Sequence, residues 1–371
     1  MKKLLTILLA GFVTFGLVGC NSSTPTTTDT PSTETPATES EYKIAMITDY
    51  GDITDQSFNQ TTYEACRDFA EENGIEFNYF KPAGDSTPER VAMIESAIDE
   101  GYNVIVTPGY AFGAALVEVA PLYPDVKFVA LDVAEGDFLD GGAENLDFMQ
   151  TNVYSMVYQE ELCGYMAGYA AVKLGYTELG FLGGMAVPAV IRYGYGFLQG
   201  ADAAAAELGI TVNVNYAYGN QFVGDADITA VMDTWYGNGT QVVFASGGGI
   251  YTSAAEAAAK VGGKVIGVDV DQAPIIDGAY GEDMTVTSAQ KGLYASTITA
   301  LTTICIDNNW ESLVGKIDTL GIVSDDPELN YVGIPMETTQ WSDTFTQEDY
   351  LTLVSEMHAG NLQVSNAADS E

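Results

Sequence analysis

The order of elements is read twice along this chain. From Tyr42 a short apolar run, KIAMIT, is followed by a helical pattern that stops at Gly74. Then come the strand IEFNYF, a helix from Thr87 to Gly101, and NVIVTP, AFGAALVEVA and KFVALD as strand, helix and strand. The second half starts the series again. ELGFLGG is a strand, PAVIRYGYGFLQGADAAAAELG a helix ended by glycine, and TVNVNYAY, DADITAVMDTWYGNG, QVVFAS, YTSAAEAAAKVG and KVIGVD continue the alternation. Strands separated by helices pair in parallel, because each crossover helix carries the chain back before the next strand begins. The strands are short and almost continuously apolar, as expected of a sheet covered on both faces. The pattern predicts an α/β protein: two doubly wound parallel-sheet domains joined by a hinge.

The expected boundaries follow from where the second series begins. Residues 41–150 plus about 284–318 are assigned to an N-terminal domain, and 151–283 plus about 319–371 to a C-terminal one. TNVYSMVYQEELCGYMAGYAAVKLG is read as the first helix after the crossover. MTVTSA and the helix from Leu293 to about Asp307 are expected to return to the first domain. A helix within ETTQWSDTFTQEDYLTLVSEMHAGNL closes the second. A body of about 330 residues suits two domains better than one.

Ahead of this body stands MKKLLTILLAGFVTFGLVGC, two lysines and then an apolar run from Leu4 to Val18. Residues 1–19 read as a secretory signal peptide. Leu17-Val18-Gly19-Cys20 resembles the bacterial lipoprotein box, which implies cleavage before Cys20 and a lipid on its thiol. Residues 21–40 contain almost no large apolar side chains and are expected to be disordered. As a flexible tether they would reach roughly 25 Å. The expected location is the extracytoplasmic face of the cell membrane, held by that lipid.

The net charge is −39, with thirteen lysines and arginines. That balance repels nucleic acid, so none is expected as a partner. Cys66, Cys163 and Cys305 show no metal spacing and read as small buried residues. His358, the one histidine, reads as an exposed surface residue. One histidine without clustered cysteines argues against a zinc site and against a Ser-His-Asp hydrolase. No metal, cofactor or catalytic residue is expected.

Open α/β sheets bind ligands beyond the carboxyl ends of their strands. In both series the fourth strand ends in aspartate, Asp132 in VALD and Asp269 in IGVD. The first strand ends just before Asp49, and QVVFAS runs into Gly247-Gly248-Gly249. In ITDYGDITDQSFNQ a single ring, Phe58, stands among Asp49, Asp55, Ser57 and Asn59. Ser57 to Gln60 fits a capping box with Ser57 as N-cap, and Asp55 is also placed to cap. Two facing domains would thus present a cleft of carboxylates, glycines and aromatics. Carboxylates accept from hydroxyls or ring N–H groups, and an aromatic face stacks on a planar base. Lys291, in VTSAQKG, could pair with a rim aspartate or donate to a ligand oxygen. This set suits a small neutral ligand with a diol and a flat ring, a nucleoside. Phosphate is disfavoured, since neither a Walker motif nor an arginine cluster is present.

DYGDITDQSFNQ resembles the first motif of the basic membrane protein family, the type I substrate-binding lipoproteins of ABC transporters that include purine nucleoside receptors. VTPGYAFGAALVEVAPLYPDVKFVALD, QEELCGYMAGYAAVKLGYTELGFLGG, FASGGG, VIGVDVDQ and VTSAQKG are similar to later blocks in the same order. The resemblance implies that Phe58 stacks on a purine, Asn59 and Asp49 hold the ribose side, and Asp132 bonds the base edge. Gly248, Asp269 and Lys291 would complete the ribose contacts. The second stacking ring matches Phe222, with Trp235 as runner-up. Ile250-Tyr251 departs from the family, which usually has another small residue there. The resemblance also implies an ABC permease as partner, a monomer, and no enzymatic activity. A receptor for a sugar or other small solute, and a nucleoside-cleaving enzyme, are the alternatives.

Overall fold

The computed structural model describes residues 40–49 and 51–366. The signal peptide, Cys20 and the tether lie outside the described residues. The first series comprises β1 (Lys43–Ile47), α1 (Phe58–Asn73), β2 (Glu76–Phe80), α2 (Thr87–Asp99), β3 (Val104–Pro108), α3 (Phe112–Val119) and β4 (Lys127–Leu131). Two short helices, α4 (Glu135–Asp140) and α5 (Met149–Asn152), lead into β5 (Val153–Tyr158) and α6 (Glu160–Lys173). The second series is β6 (Glu178–Gly183), α7 (Pro188–Leu208), β7 (Asn213–Tyr218), α8 (Ala226–Gly237), β8 (Val242–Ser246), α9 (Tyr251–Ala259), β9 (Lys264–Asp269), α10 (Ala273–Tyr280) and β10 (Thr285–Lys291). The chain closes with α11 (Leu293–Cys305), β11 (Ile317–Leu320), β12 (Val332–Gly333) and α12 (Gln347–His358).

Local chemistry accounts for many of these limits. Gly74 and Gly209 end α1 and α7 in the left-handed conformation, φ 64° and 67°, which costs glycine nothing. The Ser86 hydroxyl accepts from the Glu89 N–H at the start of α2, with Pro88 in its first turn. The sheets confirm two copies of one topology. The first runs β11-β5-β4-β3-β1-β2 and the second β12-β10-β9-β8-β6-β7. Every pairing in the first is parallel. In the second only the two-residue β12 runs antiparallel, against β10.

Two strands sit elsewhere than the sequence suggested. VYSMVY is the strand β5, parallel to β4 in the first sheet, and only the following residues form the helix α6. MTVTSA, expected in the first domain, is β10 and pairs with β9 in the second sheet. The cause is the same in both places. A parallel strand is drawn to the edge nearest its own crossover helix, and α10 returns the chain beside β9 just as the α4–α5 segment returns it beside β4. The helix that follows β10 does reach the first lobe, since α11 packs on α1. The chain therefore crosses between lobes at Tyr158–Glu160, at Gly292, and between β11 and β12.

In the second lobe α6 is buried almost all round and lies unusually close to α7. A Cβ at Gly164, Gly168, Gly196 or Gly200 would run into a backbone carbonyl of the facing helix. These four glycines set the helix separation. Behind them Phe181, Phe197, Tyr193 and Phe244 pack edge-on or tilted to one another.

Candidate functional site

A cavity of about 520 Å³ lies between the two lobes at the carboxyl ends of their strands. That volume is within the range of small-molecule sites. All eight residues singled out from the sequence line it: Asp49, Phe58, Asn59 and Asp132 from the first lobe, and Phe222, Gly248, Asp269 and Lys291 from the second. Trp235 does not. It lies on α8 with its ring edge against Gly180 of β6.

The two fourth-strand aspartates are structural equivalents. Asp132 follows β4 with φ 60° and Asp269 ends β9 with φ 64°, both in the left-handed region that aspartate tolerates better than most residues. This turn lifts each carboxylate off its strand end toward the gap between the sheets. Gly248 is similarly constrained: its φ is 54°, and a Cβ there would press on the Phe222 carbonyl oxygen. The Gly249 N–H donates to that same oxygen at 2.8 Å, which fixes the loop carrying the Phe222 ring.

Asp55 organises the start of α1. Its carboxylate accepts from the backbone N–H groups of Ser57, Asn59 and Gln60 at 2.9, 3.0 and 3.1 Å. Ser57 makes no capping bond, so the capping box read from the sequence is not formed. Three backbone donors on one carboxylate outweigh one hydroxyl as a cap. The Ser57 hydroxyl donates instead to Asp269 Oδ2 of the opposite lobe, at 2.5 Å. Asn59 turns its amide nitrogen to Asp55, which leaves its Oδ1 buried without a donor.

Lys291 is buried at the end of β10. Its ammonium donates to Asp132 Oδ2 at 2.5 Å and to Glu160 Oε1 at 2.9 Å. It also lies 5.0, 5.1 and 5.8 Å from the ring centres of Phe58, Tyr158 and Tyr193. Glu160, fully buried at the first position of α6, accepts on its other oxygen from Arg192 of α7 at 2.6 Å. Two acids and two bases thus form a chain that runs from the cavity wall, at Asp132 and Lys291, to Glu160 and Arg192 behind it. Burial pushes the Asp132 carboxyl up to about 6, against the pull of Lys291. Burial acts in the same direction on Glu160, but there Lys291 and Arg192 win and hold it below the usual carboxylate range. Lys291 is driven the opposite way from burial, its ammonium held on by Asp132 and Glu160. Burial likewise raises Asp55 to about 6, despite its backbone donors, and Glu161 to about 7.

Several lining residues carried no signal in the sequence. Tyr193 donates to Asp269 Oδ1 at 3.0 Å, so both Asp269 oxygens accept a protein hydroxyl. Tyr110 and Tyr251 also line the cavity, while Ser246 lines it at the strand end that the sequence already places on the rim. Glu160 and Arg192 lie just behind it. Arg192 could have been noticed, because cations are few in this chain and it stands one turn into a helix that follows a glycine-rich strand end. The tyrosines are too numerous to stand out. The sequence expectations for the other residues map simply: Cys66 and Cys163 are buried, Cys305 is partly so, and all three are free thiols. His358 lies on the surface beside Asp325. Among the described residues no group of side chains is arranged to hold a metal ion, and no helix is long and apolar enough to cross a membrane.

Comparison with known proteins agrees with this architecture. The chain from residue 42 to 356 matches the family described as Bmp, ABC transporter substrate-binding protein PnrA-like. A Lactococcus lactis protein named ABC transporter nucleoside-binding protein BmpA is 28% identical over 247 residues, which span 63% of this chain and 65% of that protein, just under two thirds of its length. Basic membrane protein B of Borreliella afzelii is 28% identical over 291 residues, 76% of this chain and 79% of that one. An ABC transporter solute-binding protein from Aeropyrum pernix K1 superimposes with a TM-score of 0.69 at 19% identity, covering 89% of this chain and 94% of that structure, a likeness of fold. The chain belongs to the basic membrane protein family, the PnrA-like substrate-binding proteins of ABC transporters, and has the type I solute-binding fold.

Proposed function

We propose that this protein captures nucleosides, purine nucleosides foremost, in the cavity between its lobes and delivers them to an ABC permease. The observation that carries this reading is the lining itself: rings from opposite lobes, Phe58 and Phe222, share one cavity with the carboxylates of Asp49, Asp132 and Asp269. A planar base stacks on an aromatic face, and carboxylates accept from ribose hydroxyls and ring N–H groups. Asn59 Oδ1 and Asp132 Oδ1 are buried without any protein donor. A ligand rich in donors would offset that deficit, each unmet buried acceptor costing about 1–3 kcal/mol. The name of the Lactococcus relative points to the same ligand class.

In this reading Phe58 and Phe222 hold the base, Asp132 its edge, and Asn59, Asp49, Gly248, Asp269 and Lys291 the ribose side. The protein works as a monomer, tethered by a lipid on Cys20 at the extracytoplasmic face, and it performs no chemistry on its ligand. The test is calorimetric titration of the mature chain with inosine, guanosine, adenosine, a pyrimidine nucleoside, the free bases and ribose. Nucleosides should bind far more tightly than either half alone. Ribose binding as tightly as inosine would remove stacking from the account. Chromatography of the same mixtures after prolonged incubation should find no free base, and its appearance would mark an enzyme.

A further inference from the structure

Two of the bonds that join the lobes are reciprocal. Asp132 belongs to the first lobe and is held by Lys291 of the second, Nζ to Oδ2 at 2.5 Å. Asp269, its equivalent in the second lobe, is held by Ser57 of the first, Oγ to Oδ2 at 2.5 Å. A third crossing contact lies beside the second: the Gln272 side chain, from the turn after β9, donates to the Gln56 carbonyl at 3.0 Å. Ser57 is wholly buried, it does not cap its helix, and its hydroxyl has this one acceptor. A buried serine at a helix start ordinarily caps. Here Asp55 has taken over that task completely, which leaves the serine hydroxyl available for the opposite lobe. Gln56, the residue before it, has φ 57°, outside the range most side chains prefer, and that turn presents both the Gln56 carbonyl and the Ser57 hydroxyl to the second lobe.

We propose that Ser57 is a positioning residue that latches the closed cleft: it donates to Asp269 only when the lobes have come together, so this bond counts toward the closed state alone. The inference rests on ligand capture between the lobes and adds a residue that lengthens the time the cleft stays shut. An interaction made only in one of two states shifts their ratio by its full worth. In the separated state Ser57 and Asp269 exchange each other for water. A hydrogen bond to a buried carboxylate is strong enough to change the closed-to-open ratio roughly 10- to 100-fold. Tyr193 gives a built-in comparison. It donates to the other oxygen of the same carboxylate, but from within the same lobe, so its bond persists whether the lobes are together or apart.

The experiment compares the native chain with Ser57→Ala and Ser57→Thr, each carrying a pair of spin labels on exposed positions of the two lobes. Lobe separation is measured without ligand and with saturating inosine, and inosine dissociation is followed by stopped flow. Ser57→Ala should speed dissociation roughly 10- to 100-fold at an unchanged association rate, and Ser57→Thr, which keeps the hydroxyl, should recover most of the loss. Equal dissociation rates in the native and Ser57→Ala proteins overturn the latch. If inosine fails to close even the native chain, the nucleoside reading falls separately. The latch is then judged on the unliganded distributions: a smaller closed fraction in Ser57→Ala sustains it, and identical distributions overturn it.

Discussion

Lys291→Met is the substitution whose cost the structure specifies most closely. Methionine keeps the length and apolar stem of lysine and removes the charge. Lys291 is bonded to two buried carboxylates, and its side chain is 2% exposed. After substitution Glu160 still has Arg192 at 2.6 Å, but Asp132 keeps no ion pair, and its Oδ1 is already without a donor. Breaking a buried pair by removing one partner costs about 3–5 kcal/mol. The loss must depend on pH, with a sign that can be worked out. Burial already raises Asp132 to about 6 in the native protein, whereas an unfolded aspartate ionises near 3.9. Loss of the ammonium raises the folded value further. A raised carboxyl favours the folded state most below the unfolded pKa and loses that advantage as pH climbs through the folded one. The variant is therefore least harmed near pH 5, where Asp132 takes up a proton, and most harmed near pH 8. The penalty should shrink by at least about 1.4 kcal/mol between them, the worth of one pKa unit. Urea unfolding at pH 5 and 8 measures it. Adding Asp132→Asn should recover part of the stability at pH 8, because no buried charge is then left alone. A penalty under about 1 kcal/mol at pH 8, or one equal at both pH values, refutes the claim that Lys291 is the charge that keeps Asp132 ionised.

Other consequences are simpler to state. Phe58→Ala should weaken nucleoside binding roughly 5- to 150-fold, the worth of one stacked base at about 1–3 kcal/mol, and should leave ribose affinity unchanged; calorimetry of both ligands decides it. The native chain should gain stability as pH falls from about 8 to 5, because Asp55 and Asp132, up at about 6, and Glu161, up at about 7, bind protons when folded before unfolded carboxylates do. The depressed Glu160 acts the other way only at lower pH. Calorimetric Tm at four pH values tests this, and a steady fall toward pH 5 contradicts it. Gly200→Ala should destabilise by about 1–3 kcal/mol or more, because the new Cβ meets the Tyr165 carbonyl across the α6–α7 contact; urea unfolding gives the value.

How much of this molecule could be read from its sequence depends on whether a property is local or relational. A strand, a helix end and a residue at a strand terminus are local. Hence β1, the glycine that ends α7, and the pair Asp132 and Asp269 are legible from a short run of Ile, Ala and Met, a terminal Gly, and two VALD-like endings. Sheet membership is relational, and it was misread at the fifth strand of both copies. VYSMVY carries the β-branched and aromatic residues of a strand, but it is joined to α6 by a single residue, and its apolar spacing merges with the helix that follows. MTVTSA reads as a strand, yet nothing in six residues says which of two nearly identical sheets will accept it. Duplication is the reason. Each half offers the same edge beside its fourth strand, so pattern alone cannot break the tie, and only the length of the connecting segment does.

The same division runs through the site. Phe58 and Lys291 could be singled out because each is chemically unusual in its own neighbourhood, whereas Asn59 stands out only through the family resemblance. Glu160 and Arg192 look ordinary there: an acid in the first turn of a helix and a base one turn into another both suit exposed positions, where the helix dipole or solvent accounts for them. They become a pair, Glu160 fully buried and Arg192 mostly so, where four glycines let α6 and α7 approach closely. Ser57 shows the limit most sharply. Its spacing to Gln60 is that of a capping box, and the local reading is chemically sound. What overrides it is Asp55, two residues upstream and able to satisfy three backbone donors at once. A position freed from local duty by a stronger neighbour is available for a long-range bond. Sequences of this kind can be searched for such doubled caps, in which one of two candidate cap residues has been released to act at a distance.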